Sequence, residues 1–172
     1  MNLASRTKSA RNLIPQIGGR LFATLALIAT MLVLTGASAF AATYTWSGGA
    51  SGAWGTSTSW TPTRSIAATT DVIQFNSGGA VTVTGVPTQQ IAQLLVTGST
   101  AVTLQNSAAI TLSIGGAAGT DLQVDAGSAL NVSAPAATPL TLSVLTGATG
   151  SISGGMTFTA ATSATLNVIK VV

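Results

Sequence analysis

Residues 122–132, LQVDAGSALNV, contain the pattern that decides the fold. Apolar residues stand two apart in Leu122-Gln-Val124 and again in Leu130-Asn-Val132, and small residues separate the two triplets. An alternation with a period of two places successive side chains on opposite faces of a β-strand, so each triplet has one apolar face. The stretch therefore predicts two short strands joined by a tight corner.

Segments of the same kind recur from Gly79 onward, separated by small and turn-forming residues. Seven of them supply one apolar marker each: Val83, Val96, Leu104, Leu112, Val124, Val132 and Leu142. Successive markers are 8 to 13 residues apart, and Met156–Phe158 and Leu166–Val168 continue the pattern. Short strands at this spacing fit two all-β architectures, an antiparallel sandwich or a solenoid whose strands stack on the turn below.

The small number of aromatic residues favours the solenoid. Beyond Phe75 the sequence contains one further ring, Phe158, whereas a sandwich core usually takes large rings from both sheets. The connections also lack the Asn-Gly and Asp-Gly pairs that are typical of β-hairpins. We therefore predict an all-β fold, a right-handed parallel β-helix over residues 81–172, with the sandwich as the alternative. Within it, Pro87 to Leu95 fits one helical turn or an irregular strand.

All three tryptophans lie ahead of these segments, within residues 43–62. The large rings of this region are Tyr44, Trp46, Trp54, Trp60 and Phe75. Such rings can cover the open end of a solenoid, where the first turn would otherwise expose its core and strand edges. Residues 42–80 are therefore predicted to form an aromatic N-terminal cap. The alternative is a carbohydrate-binding module in which the flat faces of Trp46, Trp54 and Trp60 stack on sugar rings.

Residues 1–41 have the pattern of a secretory signal peptide with a helical apolar core. Basic residues up to Arg20 precede the apolar run from Leu21 to Leu34, and small residues follow it. We expect cleavage after Ala39 or Ala41, export, and a location outside the cell or on its outer surface. The alternative is a membrane anchor, but the run is shorter than the about 20 residues that span a bilayer. Membrane contact is therefore expected through the signal peptide alone.

Little charge remains beyond the leader. The basic residues from Ala42 onward are Arg64 and Lys170, and the acidic residues are Asp71, Asp121 and Asp125. No basic patch is left to neutralise phosphates, so we expect no nucleic-acid partner. The sequence has no cysteine and no histidine, and it predicts no cofactor, no metal site and no catalytic residue.

Asp121 and Asp125 are the candidate carboxylate pair of a polysaccharide-cleaving β-helix. On one strand they would lie about 13 Å apart, beyond the about 5 to 9.5 Å that separates the carboxylates of glycosidases. Residues 115–123 also approach the calcium-binding nonapeptide, but in a single imperfect copy. We therefore predict that the protein is not an enzyme, and keep a catalytically empty relative of a β-helical polysaccharide lyase as a second alternative.

The opening of the mature region resembles a known family. The residues that carry the resemblance are Tyr44-Thr-Trp46-Ser-Gly, Trp54, Ser59-Trp60-Thr-Pro62, Asp71-Val-Ile-Gln-Phe75 and Val81-Thr-Val83. With residues 122–132 as the repeat unit, they resemble the N-terminal portion of bacterial autotransporter-associated, adhesin-like β-strand repeat surface proteins. Ser59 departs from the family pattern, in which asparagine is more usual. The resemblance implies a non-enzymatic adhesin or passenger stalk, with partners among surface glycans or proteins of host or neighbouring cells.

Two further expectations concern the surface. The outward strand positions are mostly Thr, Ser, Asn and Gln, which indicates a solvated face. The segment from Leu166 to Val172 stops in mid-strand with a single charge. Because uncapped apolar strands are templates for further pairing, we expect a truncated solenoid that self-associates through its C-terminal edge.

Overall fold

The computed structural model describes residues 41–134, 138–160 and 165–168. The strands in chain order are β1 (Thr43–Trp46), β2 (Ser51–Ala53), β3 (Trp60–Thr61), β4 (Val72–Phe75), β5 (Ala80–Thr84), β6 (Gln89–Ile91), β7 (Gln93–Val96), β8 (Ala101–Gln105), β9 (Ile110–Ile114), β10 (Leu122–Val124), β11 (Ala129–Ala134), β12 (Leu140–Val144), β13 (Gly150–Ile152), β14 (Gly155–Ala160) and β15 (Thr165–Val168). A 3-10 helix, Ser57–Ser59, precedes β3. Within these described ranges there is no helix long and apolar enough to cross a membrane.

Two of the predicted segments fall outside this description. Residues 1–40 of the predicted signal peptide lie outside the described residues. The same is true of residues 161–164 and 169–172, which include most of the predicted C-terminal edge. Export and truncation therefore stay predictions.

The strands form three sheets, and from β4 onward the chain passes through all three in each turn. The first sheet has the order β13-β10-β7-β4-β1-β3, the second β14-β11-β8-β5-β2 and the third β15-β12-β9-β6. Neighbouring strands are parallel in every pair except β1 with β3. Because consecutive strands from β4 onward belong to different sheets and stack on equivalent strands of the next turn, the fold is a parallel β-solenoid. The predicted all-β parallel β-helix is confirmed, and the sandwich alternative is wrong.

The core is a set of aliphatic columns that run from turn to turn. In the first sheet Ile73 pairs with Leu94, and Leu94 pairs with Leu122. In the third sheet Leu112 pairs with Leu142. All seven markers chosen from the sequence are 0% exposed. Since equivalent inward residues stack in register, each turn covers the apolar face of its neighbour, and the core is continuous along the solenoid.

The corners between strands differ in length while the register is kept. Ala92 alone separates β6 from β7, whereas residues 115–121 separate β9 from β10. Residues 87–95 therefore contain two strands and a sharp corner rather than a helical turn, which settles the alternatives left open by the sequence. The longer corner bends at Gly116 and Gly119, whose φ angles of 108° and 94° are strained for other residues.

The outer face is polar and without charge over most of its strands. In the second sheet Thr82, Thr103, Asn131 and Thr157 stack in one outward column. All four are half-buried or exposed. The arrangement agrees with the predicted solvated face, because hydroxyl and amide groups can keep their hydrogen bonds to water there.

Candidate functional site

Four aromatic rings form one cluster at the first turn, with Trp60 at its centre. The ring centroids of Trp60 and Trp46 are 5.0 Å apart with an interplanar angle of 83°. The ring of Trp60 also lies 5.2 Å from that of Trp54 and 5.7 Å from that of Phe75, again edge to face. Edge-to-face contact brings the positive rim of one ring to the negative face of another, so each pair adds to the stability gained by burial.

The cluster forms because the first turn folds back on itself. The 3-10 helix reverses the chain after β2, and β3 then runs antiparallel to β1 with Trp60 opposite Trp46. The backbone N–H of Ser47 donates to the carbonyl oxygen of Ser59 at 2.8 Å. Trp54 follows β2, and its backbone N–H donates to the carbonyl oxygen of Thr84 in the next turn at 2.9 Å. Three separate segments thus bring their indole rings to the same end of the core.

The tryptophan side chains lie in the core rather than on the surface. Trp46, Trp54 and Trp60 are 4%, 1% and 2% exposed. The indole N–H of Trp46 donates to the carbonyl oxygen of Gly49 at 2.8 Å, and that of Trp60 donates to the carbonyl oxygen of Trp54 at 2.9 Å. A sugar ring stacks on an open aromatic face, and rings this deeply buried offer none. The carbohydrate-stacking alternative therefore does not fit this arrangement, whereas a role in covering the core does.

Gly48 provides the space that the ring of Trp46 occupies, and this gives a testable prediction. A Cβ atom at Gly48 would lie 2.5 Å from Cζ2 of Trp46 and 3.0 Å from Cβ of Ser59. We expect Gly48→Ala to lower the free energy of unfolding by about 1–3 kcal/mol, the usual range for an overpacked core. Urea denaturation monitored by tryptophan fluorescence measures the difference.

Gly55 is the matched control for this substitution. A Cβ atom there would meet nothing within 4 Å. Gly55→Ala should therefore change the free energy of unfolding by no more than about 1 kcal/mol, chiefly through the unfolded chain. Equal midpoints for Gly48→Ala and the parent would contradict the packing described for Trp46.

A buried ion pair lies beside the rings. The Nη2 and Nε atoms of Arg64 are 2.7 Å and 2.9 Å from Oδ2 of Asp71, and the two side chains are 5% and 3% exposed. The backbone N–H of Ala68 donates to the same carboxylate oxygen at 3.0 Å. Removing two charges from water is unfavourable unless they are paired and hydrogen-bonded, and both conditions are met here. The pair closes the exposed loop of residues 65–70.

The guanidinium of Arg64 also connects the loop to the aromatic cluster and to the second turn. Its Cζ atom lies 5.6 Å from the ring centroid of Tyr44 and 5.9 Å from that of Trp54. A third ring, that of Trp60, is 6.0 Å away. These distances allow cation–π attraction, which is strongest where water is excluded. The Nη2 atom also donates to Oε1 of Gln89 in β6 at 3.5 Å.

Sequence reasoning missed this polar group. In the sequence, Arg64 was one of the few charges beyond the leader, and Asp71 was one of the residues that carry the family resemblance. Gln89 occupies an inward position, because it pairs with the fully buried Leu112, and a polar side chain there breaks the apolar alternation. One signal was available: Arg64 is the sole arginine beyond the leader, and Asp71 directly precedes a strongly apolar strand.

Asp121 and Asp125 flank β10, and both accept hydrogen bonds. Asp121 is 1% exposed, and its Oδ1 and Oδ2 atoms accept hydrogen bonds from the backbone N–H groups of Ala117 at 3.1 Å and Thr149 at 2.8 Å. Asp125 is half-buried, and its Oδ1 accepts a hydrogen bond from the side-chain amide of Gln123 at 2.6 Å. Asp121 therefore connects the corner after β9 with the corner after β12.

The fold and the aromatic end define the chain as a parallel β-solenoid whose first turn is closed by buried rings. Comparisons with family models, with curated proteins and with solved structures find no match to the chain. Its function must therefore be argued from its own residues.

Proposed function

We propose that this protein is a non-enzymatic, exported β-solenoid with a structural, adhesin-like role at the cell surface or in the surrounding medium. The observation that carries the proposal is the register of the turns. Apolar residues stack in register inside the turns, while mostly hydroxyl and amide side chains stack outside. Each added turn lengthens the solenoid by about 4.8 Å. The outer faces of the three sheets therefore form a large exposed surface for the volume of the protein. The solenoid acts as a stalk that presents these faces.

The use of the charged residues supports a scaffold role. Arg64, Asp71 and Asp121 are buried, and all three make internal hydrogen bonds or an ion pair. Asp125, directly after β10, accepts a hydrogen bond from Gln123 within that strand. Arg64, Asp71 and Asp121 thus hold a loop and corners of the described solenoid.

The sequence supports the location and the kind of partner. Its leader has the order of a secretory signal, with basic residues, an apolar run and a small-residue cleavage region. The resemblance to autotransporter-associated repeat proteins adds surface glycans, or proteins of host and neighbouring cells, as the partners of the exposed faces. These assignments are part of the proposal.

Export is tested by expressing the full chain with its own leader in a bacterium. We expect the protein outside the cytoplasm with a new N-terminus at Phe40 or Ala42, determined by fractionation and N-terminal sequencing. Leu27→Arg, which places a charge in the apolar run, should leave the chain uncleaved in the cytoplasm. A parent chain that retains Met1 and stays in the membrane would contradict the proposal.

A further inference from the structure

The outer face of the second sheet is an array of polar side chains that stack in register from turn to turn. Its central column has one member on each of the five strands: Ser51, Thr82, Thr103, Asn131 and Thr157. A second column, two positions further along the strands, contains Gln105, Ser133 and Thr159. Parallel strands lie about 4.8 Å apart, and alternate residues of one strand about 6.6 Å. The side chains therefore occupy a lattice with two fixed repeats.

The buried side of the same strands keeps this lattice regular. The inward residues Val83, Leu104 and Val132 stack in one column and are 0% exposed. Their close packing fixes the strands, and the branched Cβ of threonine restricts the rotamers of the outward side chains. The array is therefore ordered before a partner binds, and little conformational entropy is lost on binding.

The polar groups of the central column are available to a partner. Ser51 and Thr157 are exposed, and Thr82, Thr103 and Asn131 are half-buried. Among the described residues, none of these five side chains forms a hydrogen bond with another group of the protein. Their hydroxyl and amide groups can therefore bond to water or to a partner that lies on the face.

The outer faces of the other two sheets are less suited to such a partner. On the first sheet an apolar residue interrupts the outward column, which contains Gln74, Leu95 and Gln123. On the third sheet β6 has three residues, and the side-chain amide of Gln90 donates to the carbonyl oxygen of Gly115 at 3.4 Å. The second sheet therefore has the most regular polar face of the described solenoid.

Charge limits the class of partner. Arg64, the one basic residue in the described ranges, is buried in its ion pair, and the strands of the second sheet contain no charged residue. Nucleic acids and anionic membranes bind chiefly through lysine and arginine, so this face suits an uncharged partner. Two uncharged partners present lattices of hydrogen-bonding groups: the surface of a crystalline polysaccharide and the surface of ice.

The residues of the face distinguish between these two partners. Sugar hydroxyls would replace water on the polar side chains, and each hydrogen bond exchanged in this way contributes only about 0.5–1.5 kcal/mol. Sugar-binding sites gain further stability from stacking on open aromatic rings, but Phe158, the one ring in these strands, packs against the core. Binding to ice displaces no such water, because the waters bonded to the face become part of the crystal surface.

We propose that the outer face of the second sheet binds ice through waters that its hydroxyl and amide groups hold in register. The two repeats of the lattice are close to distances that recur between water molecules on the faces of hexagonal ice. Threonine hydroxyls bind waters by hydrogen bonds, and the methyl groups beside them restrict the orientation of the waters between the columns. This activity goes beyond the proposed scaffold role and does not depend on export.

Thermal hysteresis of the purified full chain tests the proposal. We expect a seeded solution to freeze below its melting point, with a gap between the two temperatures that grows with protein concentration. Thr103→Lys, at the centre of the face, should abolish most of the gap, because an ammonium group in the contact would lose its hydration. Thr141→Lys is the matched control: Thr141 is outward and half-buried on β12 of the third sheet, and its replacement should leave the gap unchanged.

A variant with increased activity separates ice binding from stability. Asn131→Thr completes a run of four threonines from β5 to β14 and should widen the gap, whereas damage to the fold can only narrow it. Its circular dichroism spectrum should stay that of the parent, since threonine is favoured in strands. A parent without thermal hysteresis would overturn the proposal, and so would equal losses in Thr103→Lys and Thr141→Lys. Binding of the parent to insoluble cellulose or chitin, abolished by Thr103→Lys and without any effect on ice, would assign the face to a polysaccharide instead.

Discussion

Replacing Trp60 by alanine is expected to lower the free energy of unfolding by about 3–5 kcal/mol, as for other buried large aromatic residues. Trp60 is 2% exposed and contacts three other rings at centroid distances of 5.0 to 5.7 Å. Its removal would leave a cavity at the centre of the cluster that closes the first turn. Chemical denaturation followed by circular dichroism, which does not depend on the lost fluorophore, measures the effect.

Two phenylalanine variants form a matched control for the role of the indole N–H. The N–H of Trp60 donates to the carbonyl oxygen of Trp54, whereas that of Trp54 has no hydrogen-bond partner among the described residues. Trp60→Phe should therefore destabilise more than Trp54→Phe, by about 1 kcal/mol for the lost hydrogen bond. If Trp60→Ala unfolds at the same denaturant concentration as the parent, the cluster does not stabilise the fold.

Asp71→Asn is expected to lower the free energy of unfolding by about 3–5 kcal/mol, because it leaves the buried guanidinium of Arg64 without its counter-charge. The substitution keeps the size of the side chain, so the loss reports on charge rather than on packing. The loop of residues 65–70, which the ion pair closes, should also become more susceptible to proteolysis. Urea denaturation and limited proteolysis followed by mass spectrometry measure the two effects.

Removing both charges tests this explanation. The double variant Arg64→Met, Asp71→Leu should be less destabilised than Asp71→Asn, since no buried charge is left unpaired. Asp125→Asn serves as a second control, because Asp125 is half-buried and accepts one side-chain hydrogen bond. A double variant as unstable as Asp71→Asn would show that the aromatic contacts of Arg64, rather than its charge balance, determine the result.

The strands could be predicted from the sequence because alternation is a local property. Val83, Leu104 and Val132 were chosen by their spacing alone, and all three are fully buried. The division into turns could not be predicted in the same way. The spacing of 8 to 13 residues between successive apolar markers leads from one sheet to another. Residues that stack on each other, such as Leu94 and Leu122, belong instead to successive turns. The lengths of the corners determine which residues stack, and these lengths follow no periodic pattern in the sequence.

The interior of the first turn was less accessible to sequence reasoning. The sequence left open whether the tryptophans face sugar or core, because a ring that stacks on a ligand and a ring that is buried have the same neighbours in the chain. The return of β3 beside β1 decides the matter in favour of the core. The ion pair between Arg64 and Asp71 joins residues seven positions apart, and the sequence signal for it, a lone arginine and an aspartate ahead of an apolar strand, does not identify them as partners.

The unequal corners bear on how such a protein can change in evolution. Ala92 alone connects β6 of the third sheet to β7 of the first sheet. One turn later the seven residues 115–121 make the equivalent connection, from β9 to β10, and the aliphatic columns keep their register. Corners of different length are therefore compatible with the same packing of the strands. Duplication of a gene segment that encodes one turn would add inward residues that already match those of its neighbours. Lineages of this chain are thus expected to differ in the number of turns and in corner length far more than in the residues that face the core.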